Sequence, residues 1–528
     1  MKTRRIFILL LWAVASWTCG LVEVCAQTRV TFPHPETWTA NELAPYVGQT
    51  ITFTQPVYVC NNYYSSPTVS LHRVMSPTNQ ELPGSVAYQN LLTLNNHAEV
   101  TLAGLSGYHR MGERFGELTV KVNSTSSLTY VSHGSLYGTR DDLEAVPSID
   151  MRDEHTLLVC ALNCEYYLVE NLGTGYGPAN KTESEQQHAK LMDALARIRA
   201  DIYGFMEVEQ GQSALRKLAE GLTAATGRHY TWINDGGSAS GSYTKTGYVY
   251  CTDVVKPHGE MRSNNAGVTN RKKMQAFDMI GSGERFIFSL NHFKAKSGKG
   301  TGADADQGDG QGIYNYTRTV EAHSVLDSYR TNKAYYGDDD ILIMGDLNAY
   351  AMEDPLRILA EGDMYDLHRF FHADSSYSYT FHGQAGYLDH ALCNESLLPQ
   401  VTGMMAYHIN SDEHDRYTYD KSTDRTMFRC SDHDPVLVGL RLGADIPVPE
   451  DKYETSAMLM SVSMSDGQAH IRHAKDGHYL VYTVTGAFVT RGDIPTADYT
   501  LPGELASGMY IFYVYVENTV IRRKVLIL

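Results

Sequence analysis

Three short segments, far apart in the chain, place carboxylate, amide or imidazole groups directly after apolar runs: Asp201-Ile-Tyr-Gly-Phe-Met-Glu207, Met344-Gly-Asp-Leu-Asn348 and Ser431-Asp-His-Asp-Pro435. Glu207, Asp346, Asn348 and Asp432 offer oxygen donors, and no cysteine lies among them. That donor set suits a hard cation, Mg²⁺ or Mn²⁺, and disfavours a zinc–thiolate centre. Carboxylates, an amide and an imidazole around such a cation are what phosphate ester cleavage needs. The cation neutralises phosphate charge, and a base or positioned acceptor directs water at phosphorus.

These groups need elements that bring them together. Thr156-Leu-Leu-Val-Cys-Ala-Leu162 reads as a buried strand ending at Asn163, with Glu165 two residues on and so on the same side of an extended chain. Arg285-Phe-Ile-Phe-Ser-Leu290 ends at Asn291-His292, and Ile341-Leu-Ile-Met344 ends at Gly345-Asp346. Strands that repeatedly finish on polar residues can gather their side chains on one rim. Thr182-Glu-Ser-Glu185 has capping-box spacing and predicts a helix start, after which Leu191, Leu195 and Ile198 recur at helical intervals. Residues 154–443 therefore alternate strand-like and helix-like patterns.

The flanks differ. Residues 28–150 are rich in β-formers, and Thr50-Ile-Thr-Phe-Thr54, Glu99-Val-Thr-Leu102 and Gly116-Glu-Leu-Thr-Val-Lys-Val122 alternate as half-buried strands do, which predicts a small antiparallel barrel or sandwich. Residues 444–454 read as a linker. From 455 to 528 a new strand-rich pattern, punctuated by Gly477, Gly486, Gly503 and Gly508, predicts a small β-sandwich.

A chain of 528 residues with 43% hydrophobic and 20% charged content is a folded protein of several domains. Its net charge of −17 argues against tight electrostatic binding to nucleic acid or anionic membrane, though not against nucleic acid as a substrate that must be released. Lys2, Arg4 and Arg5 precede the apolar run Ile6–Ala15, and Val24-Cys-Ala26 supplies small residues before Gln27. This is the pattern of a secretory signal peptide over residues 1–26, too short to span a bilayer, and it predicts export to a secreted or cell-surface location without a transmembrane segment. Six cysteines remain beyond it, an even number that permits disulfides but forms no disulfide scaffold. Cys160 and Cys164 share a strand, roughly 13 Å apart, and cannot bond each other there.

In order along the chain, Asn163, Glu165, Glu207, Asn291-His292, Gly345-Asp-Leu-Asn348, Leu388-Asp389 and Ser431-Asp-His433 form a pattern that resembles the endonuclease/exonuclease/phosphatase superfamily, whose members include DNase I. The resemblance covers 154–443 and is nearest to secreted bacterial nucleases. Tyr377-Ser-Tyr-Thr-Phe381 before Gly386-Tyr-Leu-Asp-His390 belongs to the same pattern. It implies an α+β chain whose catalytic block is a four-layered α/β/β/α sandwich. It also implies roles. Glu207, Asn163 and Asp432 would hold the cation, with Glu165 as a ligand or its support. Asp346 would orient or deprotonate water, and Asn348 would hold that water or the phosphate. His292 and His433 would contact the scissile phosphate, with Asp389 fixing the His433 tautomer.

Several further expectations follow. Lys294 and Lys296 would meet flanking phosphates or form a solvated basic strip, and Arg318 would clamp phosphate or sit on a helix surface. Asp304, Asp306 and Asp309 form an acidic loop with Ca²⁺ as its candidate ion, or a solvated loop. The segment from Asn41 to Leu118 resembles an OB-like module, where Tyr63, Tyr64 and Tyr108 would stack on nucleic acid or pack. The tail resembles type IX secretion sorting domains, with the secretion machinery as partner. The expected activity is hydrolysis of extracellular DNA, and of RNA as a second substrate. The rivals are a phospholipid or inositol phosphate hydrolase and a non-catalytic surface adhesin.

Overall fold

The structure, a computed structural model, describes residues 28–62, 66–143, 156–236, 243–372, 376–442 and most of 461–527. The expected signal peptide and linker, together with Tyr63 and Tyr64, lie outside the described residues.

Two six-stranded sheets form the middle of the chain. The first runs Tyr230–Trp232, Thr244–Cys251, Ile202–Glu209, Thr156–Tyr167, Val436–Arg441, Val401–Ala406; the second runs Val255–Asn264, Lys272–Met279, Arg285–His292, Ile341–Asp346, Asp389–Cys393, Tyr365–Asp366. Alternation along the strands explains the layering. Leu157, Val159 and Ala161 join Phe288, Leu290, Leu342 and Met344 in a core between the sheets. Leu158, Cys160 and Leu162 point the other way, into a core with Leu191, Leu195 and Ile198 of helix Lys181–Ile198 and Leu215 and Leu218 of helix Ser213–Thr226. On the far side Ile287, Ile341 and Ile343 pack with Val325 and Leu326 of helix Asn315–Tyr336 and with Leu356 and Leu359 of helix Asp354–Glu361. The result is four layers, helix–sheet–sheet–helix. Both faces of each central strand are covered, which is why these strands read as unbroken apolar runs. At Gly204 an added Cβ would stand 2.7 Å from Leu290 Cδ1, so the sheets' approach here admits no side chain.

The helix before this core opens differently from expectation. Asn180, not Thr182, caps it: the Asn180 side chain accepts from the Glu183 N–H at 3.1 Å, and the Glu183 carboxylate takes the Ala179 N–H at 2.7 Å. The same short polar-plus-glutamate logic operates two residues earlier.

Register sets the functional rim. The parallel pair Arg285–His292 and Ile341–Asp346 aligns His292 with Asp346. The antiparallel pair with Asp389–Cys393 aligns Asp346 with Asp389. In the other sheet Asn163 lies opposite Met206, next to Glu207, and strand Val436–Arg441 begins just after His433. Six strands thus bring polar residues to one edge of the sandwich.

Residues 28–137 form a nine-stranded sheet around Trp38, Phe53, Phe115, Val120 and Leu128. Thr50–Phe53 pairs with Leu118–Ser124 while the next strand, Val57–Asn61, pairs with Thr68–Ser70, so consecutive strands lie far apart in the sheet. Two pairings are parallel, Thr28–Val30 with Thr50–Phe53 and Val100–Ala103 with Ser127–His133, which departs from the antiparallel expectation. This module docks as a strand on the middle block. Met75 bridges Ala385, the Ser76 N–H donates to the Ala385 carbonyl at 2.7 Å, and the Ala385 N–H donates to the Val74 carbonyl at 2.9 Å. Charge reinforces the seam: Arg73 meets Asp412 at 2.5 Å, Arg110 meets Glu413 at 3.0 Å, and Arg140 also pairs with Glu413.

The C-terminal strands make sheets of three and four, enclosing Ile471, Tyr479, Val481, Phe512 and Val514. Tyr513 and Tyr515 face away from that core and meet Tyr365 and Phe370 edge-on at 5.5 and 4.8 Å. Cys60, Cys160, Cys164, Cys251, Cys393 and Cys430 are free thiols, all buried. Among the described residues no helix is long and apolar enough to cross a membrane.

Candidate active site

The Met-Gly-Asp-Leu-Asn turn shows how local chemistry aims a side chain. Gly345 has φ +134°, and a Cβ there would sit 1.9 Å from the Asn291 carbonyl oxygen, so only glycine lets the two parallel strands close at this point. The chain then turns so that the Asn348 N–H donates to Asp346 Oδ1 at 2.8 Å, while the Asn348 side chain donates to the Phe293 carbonyl at 3.1 Å. The Asp346 N–H itself donates to Met206 Sδ at 2.9 Å, tying the turn to the neighbouring sheet. Asp346 Oδ2 is left facing the cleft. Asn163 Nδ2 donates to it at 3.1 Å, and His292 Nε2 and His433 Nε2 stand 3.6 and 3.9 Å away.

Beyond Asn163 the strand bulges, breaking register with its partner between Asn163 and Tyr167. Glu165 and Tyr166 take φ values of +50° and +55°, and Glu207 and Asn348 lie at +58° and +49°. Each such residue costs on the order of 1 to 3 kcal/mol, and they concentrate at this rim. The bulge turns the Tyr166 N–H onto Glu207 Oε2 at 3.1 Å, while Glu207 Oε1 lies 3.7 Å from His292 Nε2. Ser431 Oγ donates to the Asn163 carbonyl at 2.6 Å and so fixes the segment carrying Asp432 and His433.

The two histidines are driven apart electrostatically. Burial and the neighbouring Arg271, 3.4 Å from Nδ1, hold His292 well below its usual range and therefore neutral. Burial would lower His433 too, but Asp389, Asp432 and Asp346 outweigh it and hold the ring charged. Its Nδ1 meets Asp389 Oδ2 at 2.7 Å, and Asp389 in turn accepts from Ser378 Oγ at 2.8 Å. Tyr379 stacks on the same imidazole at 4.6 Å. Burial pushes Asp346 up to about 7, against the pull of His433 and with help from Asp389. Burial, with Asp432 and Glu207 nearby, pushes Glu165 up to about 8. A neutral and a charged imidazole beside carboxyls poised near neutrality can trade protons and stabilise developing negative charge.

The residues fit a hard divalent cation in kind. Glu165 Oε2 is buried with no hydrogen-bond partner, and burial and the charge of Asp432 push Glu207 above the carboxylate range. Among the described residues no three His, Cys, Asp or Glu side chains are drawn close enough to grip one ion.

Asn163, Glu165, Glu207, His292, Asp346, Asn348, Asp432 and His433 all line one cleft of about 820 Å³, with Asp389 directly behind His433. Three expectations are corrected. Arg318 is wholly buried and spends its donors on the carbonyls of Lys294, Ile313 and Gln311, pinning the loop rather than meeting phosphate. Lys294 does not line the cleft; its ammonium lies over the Tyr314 ring at 4.1 Å and reaches the Ala295 carbonyl. In the acidic loop Asp304 binds Thr317, Asp306 the Gly308 N–H and Asp309 Gln311, so the carboxylates shape turns instead of converging on Ca²⁺. Tyr108 sits at the seam, edge-on to Tyr417 at 4.7 Å, and packs there. Sequence reasoning missed Arg271, for which a basic Arg-Lys-Lys run gives no signal, and the supporting work of Ser378 and Tyr379, which lie inside the quoted Tyr-Ser-Tyr-Thr-Phe pattern.

A four-layered sandwich with carboxylates, amides and two histidines of opposite charge state gathered at one edge is an arrangement suited to phosphoester hydrolysis. The chain belongs to the endonuclease/exonuclease/phosphatase family, whose signature matches residues 162–433, just over half of its length. Among solved structures it is similar to an endonuclease/exonuclease/phosphatase from Bacteroides vulgatus (17% identity, 54% of this chain and 99% of that one, TM-score 0.37). It is also similar to the human Nocturnin catalytic domain with bound sulfate (13%, 56% and 96%, 0.38) and to a mannosyl-6-phosphatase from Bacteroides thetaiotaomicron (15%, 53% and 98%, 0.35). Comparison with curated proteins gives no match.

Proposed function

We propose that this protein is a secreted, divalent-metal-dependent nuclease that hydrolyses phosphodiester bonds of extracellular DNA, and of RNA as a second substrate. The observation that carries the reading is the convergence on Asp346 Oδ2 of Asn163 and His292 from two strands and of His433 from the segment before a third, all within 3.9 Å. In this reading Glu207, Glu165 and Asp432, with the Asn163 amide, hold Mg²⁺ or Mn²⁺, which when bound neutralises phosphate charge and polarises the ester. Asp346, lifted to about 7, accepts the proton of the attacking water, and Asn348 shapes the turn that holds its carboxylate in place. Charged His433, oriented by Asp389, donates to the phosphate oxygen on which charge accumulates. Neutral His292 supplies a second hydrogen bond to the same group. A phosphomonoester dianion would want more free cations than this cleft offers, since Lys296 is paired with Glu353 at 2.6 Å.

The sequence of residues 1–26 supports export, and the strand-rich tail supports sorting by a type IX route. An OB-like role for residues 28–150 is supported by their own strand-rich sheet and its core of Trp38, Phe53 and Phe115. The test is release of acid-soluble nucleotides from DNA and RNA by the purified protein, with Mg²⁺ and with EDTA, beside phospholipid and inositol phosphate substrates. Mg²⁺-dependent release that EDTA abolishes is expected. Hydrolysis confined to the phospholipid or inositol phosphate arm, or no hydrolysis anywhere, would overturn the reading.

A further inference from the structure

We infer that the cleft takes unpaired rather than duplex nucleic acid and holds its bases on an aromatic ladder beside the phosphate site. This rests on the nuclease reading and names its substrate class. The bulge after Asn163 lifts Tyr166 into the cleft, where it stacks on Tyr176 at 5.2 Å with 22° between the rings. Tyr243 follows Tyr176 at 6.1 Å, its ring tilted by 40°. Tyr176 and Tyr243 are 53% and 50% exposed, and Phe381, also lining the cleft, is 55% exposed. Large aromatic side chains left open to solvent beside a phosphate site are platforms for base faces, which a duplex keeps stacked on one another.

The electrostatics point the same way. Duplex binding draws mainly on Lys and Arg contacts to phosphates. Lys296, which lines the cleft, is paired with Glu353, and the cations around it are turned elsewhere: Lys294 to loop carbonyls and buried Arg318 to three carbonyls, while Arg271 stands behind His292. The N-terminal module supplies one more wall, with Tyr88 and Leu92 of helix Val86–Asn95 lining the cleft. A walled cleft short of free cations and rich in exposed rings suits a single strand threaded past the site, where stacking supplies the binding.

The experiment uses the full chain with Mg²⁺ and three substrates: a single-stranded oligonucleotide, the same sequence as a duplex, and bis(4-nitrophenyl) phosphate as a diester without bases. The expected kcat/KM on the single strand exceeds that on the duplex by at least about tenfold. Tyr176→Ala and Phe381→Ala are expected to raise KM for the single strand by roughly five- to hundredfold, with smaller changes in kcat, and Tyr176→Trp to restore it. Equal efficiency on both DNAs, or unchanged KM in variants whose circular dichroism is native, would overturn the inference while leaving the nuclease reading intact. Hydrolysis of the base-free diester with both DNAs untouched would overturn both.

Discussion

Buried carboxylates gather in two places in this molecule, and they are treated in opposite ways. At the seam between the N-terminal module and the middle block, Asp412 and Glu413 are matched by Arg73, Arg110 and Arg140. Burial alone would raise Asp412, but Arg73 and Arg110 outweigh it and hold the carboxyl below its usual range. At the rim, Glu165, Glu207, Asp346 and Asp432 share a cleft in which carboxylates outnumber available cations, and Glu165, Glu207 and Asp346 are pushed up. Balanced charge serves as glue. A deficit of positive charge, kept at a cost, is what the proposed cation-binding, proton-moving site requires.

The contrast breaks most sharply by mutation. Asp346→Asn should lower kcat on polynucleotide by roughly 10²- to 10⁴-fold, the usual worth of a positioned acid–base group, while the melting temperature stays level or rises because a repelled carboxylate has gone. A steady-state assay beside a thermal melt reads both. Arg110→Ala should do the reverse, costing about 1 to 3 kcal/mol in denaturant unfolding because Asp412 and Glu413 each lose one of two arginines, with its effect on activity traceable to lost folded protein. A stable Arg110 variant, or a destabilised Asp346 variant, would erase the distinction.

Acidity and metal sharpen it. The seam's Asp412 has a folded pKa below its ordinary 3.8, so its contribution is complete above that value and is lost as pH falls through the folded pKa. Glu165 is the opposite case. Its folded pKa of about 8 lies above the ordinary 4.5, so in EDTA the protein should lose stability as pH rises between those values, and Glu165→Gln should flatten that slope. Melting curves from pH 5 to 8 check the sign. The smallest effect is a Mg²⁺-induced rise in melting temperature, on the order of a few degrees, that Glu207→Gln abolishes.

Much of this rim was legible because apolar runs that stop on a polar residue are strands with an exposed end. Thr156–Leu162 before Asn163 and Ile341–Met344 before Asp346 gave the strands and the residues at their ends, while the layer order and the roles came from the family resemblance. Arginine and lysine roles were not legible. Arg318 follows a glycine-rich loop as a phosphate clamp would, but nothing local reveals that three carbonyls claim its donors. The Asn180 cap was hidden by a competing polar pattern two residues on. The N-terminal wall of the cleft was out of reach because it depends on docking, not on any periodicity along the chain.

That docking has a practical outcome. Val74 and Ser76 complete the backbone pairing of Ala385, and the Thr78 carbonyl accepts the Met352 N–H at 3.0 Å. A shortened protein starting after residue 154 would carry a raw β edge next to its own catalytic groove, ready to pair with a neighbour. Expressed alone, the enzymatic half should self-associate or precipitate, and a separately supplied N-terminal half should rescue it.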